Sequence, residues 1–212
     1  MSTATITEPT QAMPTKRKPG DNPTPTGPAA PLPKRDTLDR IVLTGFMGSG
    51  KTTAGALLAE RLGWNFVDLD REIEARDGRT VPQIFSDSGE PHFRHLESAA
   101  LASLLGQRRI VLALGGGAPE ELGNRLLLEQ TPHTAVIYLS ASFDTLVARC
   151  TTQATDPSAT ARPNLADINF AERRFRLRRP HYERIAAHTI HTTDLTVDQT
   201  VNAVLAAIMS PR

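Results

Sequence analysis

The chain has 212 residues, 39% of them hydrophobic, with 24 basic and 23 acidic side chains and a formal net charge of +1. That suits one soluble domain with a proper core, and the near-balance of charge excludes a global attraction to nucleic acid or to a membrane surface. The single cysteine, Cys150, excludes an intrachain disulfide, fits a reducing compartment and reads as a small buried apolar residue.

Residues 1–36 hold eight of the 16 prolines, with no aromatic side chain and no apolar periodicity. Such a segment cannot repay the entropy of ordering, so a disordered extension is expected there, followed by one folded domain over 37–212. It lacks the continuous apolar stretch of a secretory signal. Glu8, Asp21 and the scattered prolines also oppose the arginine-rich amphipathic helix of a transit peptide. With no apolar run near the roughly 18 residues of a membrane span, a cytoplasmic protein is expected.

From residue 41 the pattern alternates. A β-branched run over 41–44 enters a glycine-rich loop and then a helix to about Leu62. "WNFVDLD" reads as a short strand and "REIEARDG" as a helix stopped by Gly78. A helix is predicted over 90–105; "RIVLALGGG" is a buried strand that runs into glycines; 120–129 is helical. "TAVIYLS" is a third apolar strand, with a helix over 142–150 behind it. A polar stretch over 151–167 precedes a long arginine-rich helix. A weak strand over 188–192 and an amphipathic helix at Val197–Met209 close the chain. Strands separated by helices imply an α/β fold with parallel pairing and helices on both faces.

The loop "GFMGSGKTT" carries the strongest chemical signal. Gly45, Gly50, Lys51 and Thr52 fit G-x-x-x-x-G-K-[ST] between a strand and a helix, the pattern that wraps backbone N–H groups around phosphate. Gly48, Ser49, Gly50, Lys51, Thr52 and Thr53 are the candidate contacts to a nucleotide. Lys51 would reach the β- and γ-phosphates, and Thr52 would offer its hydroxyl to Mg²⁺. A plain glycine hairpin leaves the lysine unexplained. Of the four lysines, Lys16, Lys18 and Lys34 lie in the extension, so Lys51 is the only one in the folded part. Nucleotide binding follows; the motif alone does not choose among kinases, GTPases and motor ATPases, although N-K-x-D base-reading signals are absent.

Four further features narrow the choice, each with a plainer alternative. Asp68 and Asp70, two apart at a strand end, put carboxylates on one face for Mg²⁺-bound water and a substrate hydroxyl, or else Asp70 caps the next helix. Arg94 and Glu97 are one helical turn apart, either a pre-oriented guanidinium or a surface ion pair. Gly115, Gly116 and Gly117 end an apolar strand, where open α/β sheets bind ligands, or make a tight turn. Arg173 to Arg179 pack five arginines into seven positions. Most of these suit a solvated face or, conceivably, a nucleic-acid patch. One or two suit bidentate anion binding inside a cleft.

Taken in order, "GFMGSGKTT", "FVDLD", "FRHLE", "LGGG" and R-x-P-x-Y resemble shikimate kinase from about Arg40 to the C-terminus. The resemblance implies the nucleoside-monophosphate-kinase-like fold, a P-loop three-layer α/β/α architecture with a central five-stranded parallel sheet and a mobile lid. It also implies transfer of the γ-phosphoryl of ATP, with Mg²⁺, to the 3-hydroxyl of shikimate, in the route to chorismate. On the matching positions it makes Asp70 the shikimate-hydroxyl ligand and proton acceptor, and Asp68 a Mg²⁺ ligand through water beside Thr52. Arg94 and Arg178 hold the shikimate carboxylate, Glu97 orients Arg94, and Gly115 to Gly117 touch substrate through their backbone. Arg149 lies against adenine, and Arg162 reaches the phosphates on a lid formed by about 151–167. A monomer that binds neither nucleic acid nor membrane is expected.

The sequence departs from the family pattern in the lid, where "RPNL" places Asn164 at an apolar position and "TTQATDPSATA" is long. Near the C-terminus, "HTTDLT" offers no evident adenine contact. Two other readings stay open: a related small P-loop kinase for another polyol acid such as gluconate, and a nucleotide-binding protein without turnover.

Overall fold

The computed structural model describes residues 38–154 and 167–209. The expected extension over 1–36, Arg162, and the lid positions from 155 to 166 lie outside the described residues.

Five strands and seven α-helices alternate among the described residues. They are β1 (Arg40–Thr44), α1 (Lys51–Leu62), β2 (Asn65–Asp68), α2 (Leu69–Asp77), α3 (Val81–Leu104), β3 (Ile110–Ala113), α4 (Leu122–Gln130), β4 (Thr134–Ser140), α5 (Phe143–Ala154), α6 (Ile168–Ile185), β5 (His188–His191) and α7 (Val197–Met209). A short 3₁₀ turn, Ala118–Glu120, lies between β3 and α4. The sheet is wholly parallel, in the order β2-β3-β1-β4-β5.

Strand periodicity divides the core between the two faces of this sheet. Val42, Leu112 and Val136 point to one face and pack with Leu69, Ile73, Ile84, Leu101, Leu104 and Leu128. Ile41, Leu43, Val111 and Ile137 point to the other face, against Leu58 and Ala59 of α1 and Val201, Val204 and Ile208 of α7. Because both faces are covered, β1 and β3 are buried throughout.

The registers pair Leu43 with Ala113 and Ala113 with Asp68, so β1, β2 and β3 end at one level. The phosphate-loop segment, the D-x-D segment and the glycine triplet therefore leave the sheet side by side. The carboxyl edge of an open α/β sheet is where ligand crevices form.

The boundaries of α3 and α5 differ from the sequence expectation. The helix expected from residue 90 starts at Val81, where Thr80 accepts a hydrogen bond from the Gln83 amide and Gln83 Oε1 accepts from the Thr80 amide, a complete capping box. Gly89, at φ 78° and ψ 170°, breaks α3 into two helical pieces; the second is the one the periodicity indicated. The expected lid loses residues 151–154 to α5, and Asp167 at its far end caps α6 by accepting from the Phe170 amide at 2.9 Å.

Candidate active site

The loop between β1 and α1 is built around its glycines. Gly48 has φ 76°, and a Cβ there would lie 2.5 Å from the Leu146 carbonyl oxygen and 2.9 Å from the Cys150 sulfur. Only glycine lets α5 pack this close beneath the loop. Cys150, 2% exposed, is thus a packing residue, as its composition suggested. The first turn of α1 carries no acidic side chain, which keeps its positive N-terminal end available to an anion.

Lys51 Nζ donates to the carbonyl oxygens of Gly45 at 2.9 Å and Phe46 at 3.0 Å, so the ammonium lies over the loop itself. Ser49 is 2% exposed and its hydroxyl is buried without a hydrogen-bond partner. Thr53 sits exposed on the first turn of α1. Thr52 Oγ1 donates to Asp68 Oδ2 at 2.8 Å, which brings together the two residues expected to serve one cation.

The two aspartates do not share a strand face. β2 ends at Asp68, and Asp70 is already in the first turn of α2. The helix cap is Asp68, whose Oδ1 accepts from the Asp70 amide at 3.2 Å, rather than Asp70. This correction separates their tasks: Asp68 is tied to Thr52 and to the helix end, while Asp70 is free to face the glycine triplet. Burial, reinforced by the neighbouring Asp68 charge, pushes the Asp70 carboxyl up to about 6, with Lys51 pulling it back.

Arg94 and Glu97 are no surface pair. Glu97 is fully buried and the Arg94 side chain only 13% exposed, with Arg94 Nη1 donating to Glu97 Oε2 at 2.7 Å. Arg94 Nη2 donates to Glu90 at 2.9 Å. Burial lifts the Glu97 carboxyl to about 7 against the pull of Arg94, and the Asp70 charge adds to the rise. Its second oxygen, Oε1, is buried with no hydrogen-bond partner.

The glycine triplet makes this crowding feasible. A Cβ on Gly115 would lie 2.7 Å from both Asp70 Oδ1 and Glu97 Oε1. A Cβ on Gly117 would run into the Arg94 guanidinium. The requirement is therefore space for charged groups rather than turn geometry. Gly116 is held through its carbonyl, which accepts from Tyr182 Oη at 2.5 Å. That tyrosine closes the R-x-P-x-Y motif.

Of the clustered arginines, Arg178 is the one buried in the cleft, 6% exposed, with its guanidinium 6.0 Å from the Phe46 ring centre. Arg176 and Arg179 make helical ion pairs with Glu172 and Glu183 on the solvent side, and Arg174 sits 3.7 Å from Glu90 at the rim. Arg178 Nη2 donates to Glu120 Oε2 at 2.9 Å. Glu120 escaped the sequence reading altogether. In "APEEL" nothing distinguishes it from Glu121, and only the 3₁₀ turn aims it at the arginines.

Arg149, expected against adenine, lies in the middle of α5 next to Cys150. Its guanidinium donates to the Thr192 carbonyl and hydroxyl and to the Thr193 carbonyl, the last at 3.2 Å. The "HTTDLT" segment, for which no role was evident, anchors this arginine beside the loop. Arg162 lies outside the described residues.

Comparison with known proteins identifies the family. The family model for shikimate kinase matches residues 47–209. A shikimate kinase from Salinibacter ruber is 39% identical over 175 residues, covering 80% of this chain and 84% of the relative. One from Salinispora tropica is 42% identical over 171 residues, covering 80% and 97%. Among solved structures, shikimate kinase from Acinetobacter baumannii in complex with shikimate aligns at 35% identity with a TM-score of 0.72, covering 82% of this chain and 94% of that one. A gluconokinase from Sinorhizobium meliloti aligns at 18% identity and a TM-score of 0.52, which shows a common fold only. With a family model spanning most of its folded part and close relatives matched along nearly their whole length, this chain belongs to the shikimate kinase family.

Proposed function

We propose that this chain transfers the γ-phosphoryl group of ATP to the 3-hydroxyl of shikimate, releasing ADP and shikimate 3-phosphate on the way to the aromatic amino acids. The observation that carries the proposal is the convergence of Arg94, Arg178 and Asp70 on Gly115–117, beside the phosphate loop. Two arginines suit a small carboxylate, and an aspartate next to them suits the hydroxyls of the same ring.

In this reading the loop from Gly48 to Thr53 cradles the phosphates through backbone N–H groups and the N-terminus of α1. Lys51 leaves the Gly45 and Phe46 carbonyls for the β- and γ-phosphates, a short move for a flexible ammonium. Arg162 would add positive charge from the lid, and Arg149 would border the adenine.

Asp70 accepts the proton of the 3-hydroxyl as that oxygen bonds to the γ-phosphorus and the bond to the ADP oxygen breaks. A carboxyl raised to about 6 is mostly ionised at neutral pH yet more basic than an ordinary aspartate, which suits a general base. Arg94, fixed by Glu97, and Arg178 align the ring by its carboxylate, so that positioning supplies most of the acceleration. Gly115 to Gly117 set the substrate's approach through their backbone.

The pair Thr52 and Asp68 fits Mg²⁺. It offers two hard oxygen donors at the phosphate loop, a small number that suits an ion sharing its shell with phosphates and water. When bound there, Mg²⁺ supplies charge neutralisation at the β- and γ-phosphates.

Mass spectrometry of shikimate incubated with MgATP and the protein tests the proposal. A product heavier by one phosphoryl group is expected; unchanged shikimate beside intact ATP would overturn it.

A further inference from the structure

The arginines assigned to a substrate carboxylate are already neutralised by protein carboxylates. Glu97 and Glu90 pair with Arg94, and Glu120 pairs with Arg178. Of these acids, Glu120 alone reaches both arginines: its Oε2 is 2.9 Å from Arg178 Nη2 and 3.7 Å from Arg94 Nη2. It therefore sits where the proposed function places the carboxylate of shikimate. We infer that Glu120 is a built-in occupant of the acid-binding subsite, a protein carboxylate that the substrate displaces and that thereby sets the apparent affinity.

Three observations single out Glu120 as the displaceable acid. First, its side chain is 32% exposed, whereas Glu97 is fully buried, so Glu120 can swing into water without a desolvation cost. Second, its hold is incomplete. It accepts one hydrogen bond from Arg178, whose Nε remains buried without a partner, leaving half of a planar fork unused. A carboxylate entering in the plane of that fork gains a second bond. Third, the backbone beneath it is pinned. Arg125 Nη1 donates to the Pro119 carbonyl at 2.6 Å and to the Glu120 carbonyl at 2.8 Å, and the Glu120 amide donates to the Gly117 carbonyl at 2.9 Å. Displacement then requires side-chain rotation and no loop movement. Between substrates the occupant also keeps two buried cations compensated.

The consequence follows from population arithmetic, and it rests on the shikimate kinase reading of the same site. Apparent affinity is the intrinsic affinity reduced by the fraction of molecules whose subsite is open. Removing the occupant's charge opens the subsite. In the full chain, Glu120→Gln should lower the KM for shikimate about fivefold, with kcat changed far less and the KM for MgATP unmoved. Glu120→Asp, one methylene shorter, should shift the shikimate KM in the same direction. In melting experiments without nucleotide, shikimate should raise the Tm of Glu120→Gln more than that of the parent.

If Glu120 instead served only to position Arg178, both substitutions would raise the shikimate KM, and that result overturns the inference. An unchanged KM in folded Glu120→Gln and Glu120→Asp overturns it equally. A parent that releases no ADP in response to shikimate would overturn the functional reading, and this inference with it.

Discussion

Thr52 donates its hydroxyl hydrogen to Asp68 Oδ2 across 2.8 Å, joining the first turn of α1 to the end of β2. Two residues 16 positions apart thus present adjacent oxygens at the mouth of the phosphate loop, and Asp68 also caps α2 through its other oxygen. Replacing Thr52 with Val keeps the shape and removes one proposed Mg²⁺ ligand. The Mg²⁺ concentration for half-maximal ADP release should rise on the order of tenfold, with a lower maximal rate. A Mg²⁺ titration at fixed ATP reads this directly, and an unaltered curve would remove Thr52 from the cation site.

Asp70 makes a paired prediction about rate and stability. Its carboxyl is raised from 3.8 to about 6 by burial and by Asp68. As the base it must be ionised, so kcat/KM for shikimate should fall about tenfold per pH unit below about 6. Asp70→Asn should nearly abolish turnover while leaving ATP binding in place. For stability the sign is opposite. The folded chain holds a proton that the unfolded chain has released between pH 3.8 and about 6, so this group's contribution is full at low pH and lost as pH rises through about 6. Asp70→Asn should therefore melt several degrees higher than the parent at pH 7, the gain shrinking by pH 5. Equal melting temperatures at pH 7 would contradict the burial argument.

Glu97 is the only described partner of Arg94 with no solvent exposure. Its removal leaves a buried guanidinium short of compensation, although Glu90 stays in reach. Glu97→Ala should cost about 3 kcal/mol, a loss of about 8 °C in Tm for a domain of this size. The KM for shikimate should rise more than the KM for MgATP. A variant that melts like the parent would show that the pair contributes nothing to the fold.

Gly115 and Gly123 provide an internal control. A methyl group on Gly115 would meet two carboxylate oxygens at 2.7 Å, whereas one on Gly123, inside α4, meets nothing within 4 Å. Gly115→Ala should lower kcat/KM for shikimate on the order of a hundredfold, because a displacement of about 1 Å at a reacting group has that effect. Gly123→Ala should leave kinetics alone and raise stability by about 0.5 kcal/mol through helix propensity. Similar kinetics in the two variants would mean that the triplet is an ordinary turn.

Local chemistry made much of this site readable from sequence. Lys51 stood out because its spacing from Gly45 and Gly50 has one physical purpose. Arg94 and Glu97 were readable as a helical pair, but their burial was not, since Glu97 is covered by residues far away in the chain. The D-x-D spacing implies a shared strand face, which the structure does not keep, because the strand gives way to helix between the two aspartates. Thr80 and Gln83 spell out a capping box at the start of α3, yet Pro82, Gly89 and Pro91 hide the periodicity of its first half. Glu120 had no local signature at all. Its meaning arises only when a 3₁₀ turn meets α6, a tertiary event that sequence spacing does not encode.

Phosphoryl transfer to shikimate can be followed by its second product, ADP. ADP release from MgATP, followed in parallel with shikimate, with gluconate and with no acceptor, tests it most directly. Release that depends on shikimate and stays at background with gluconate is expected. Release with gluconate alone, or none that depends on an acceptor in protein that still binds ATP, would contradict it.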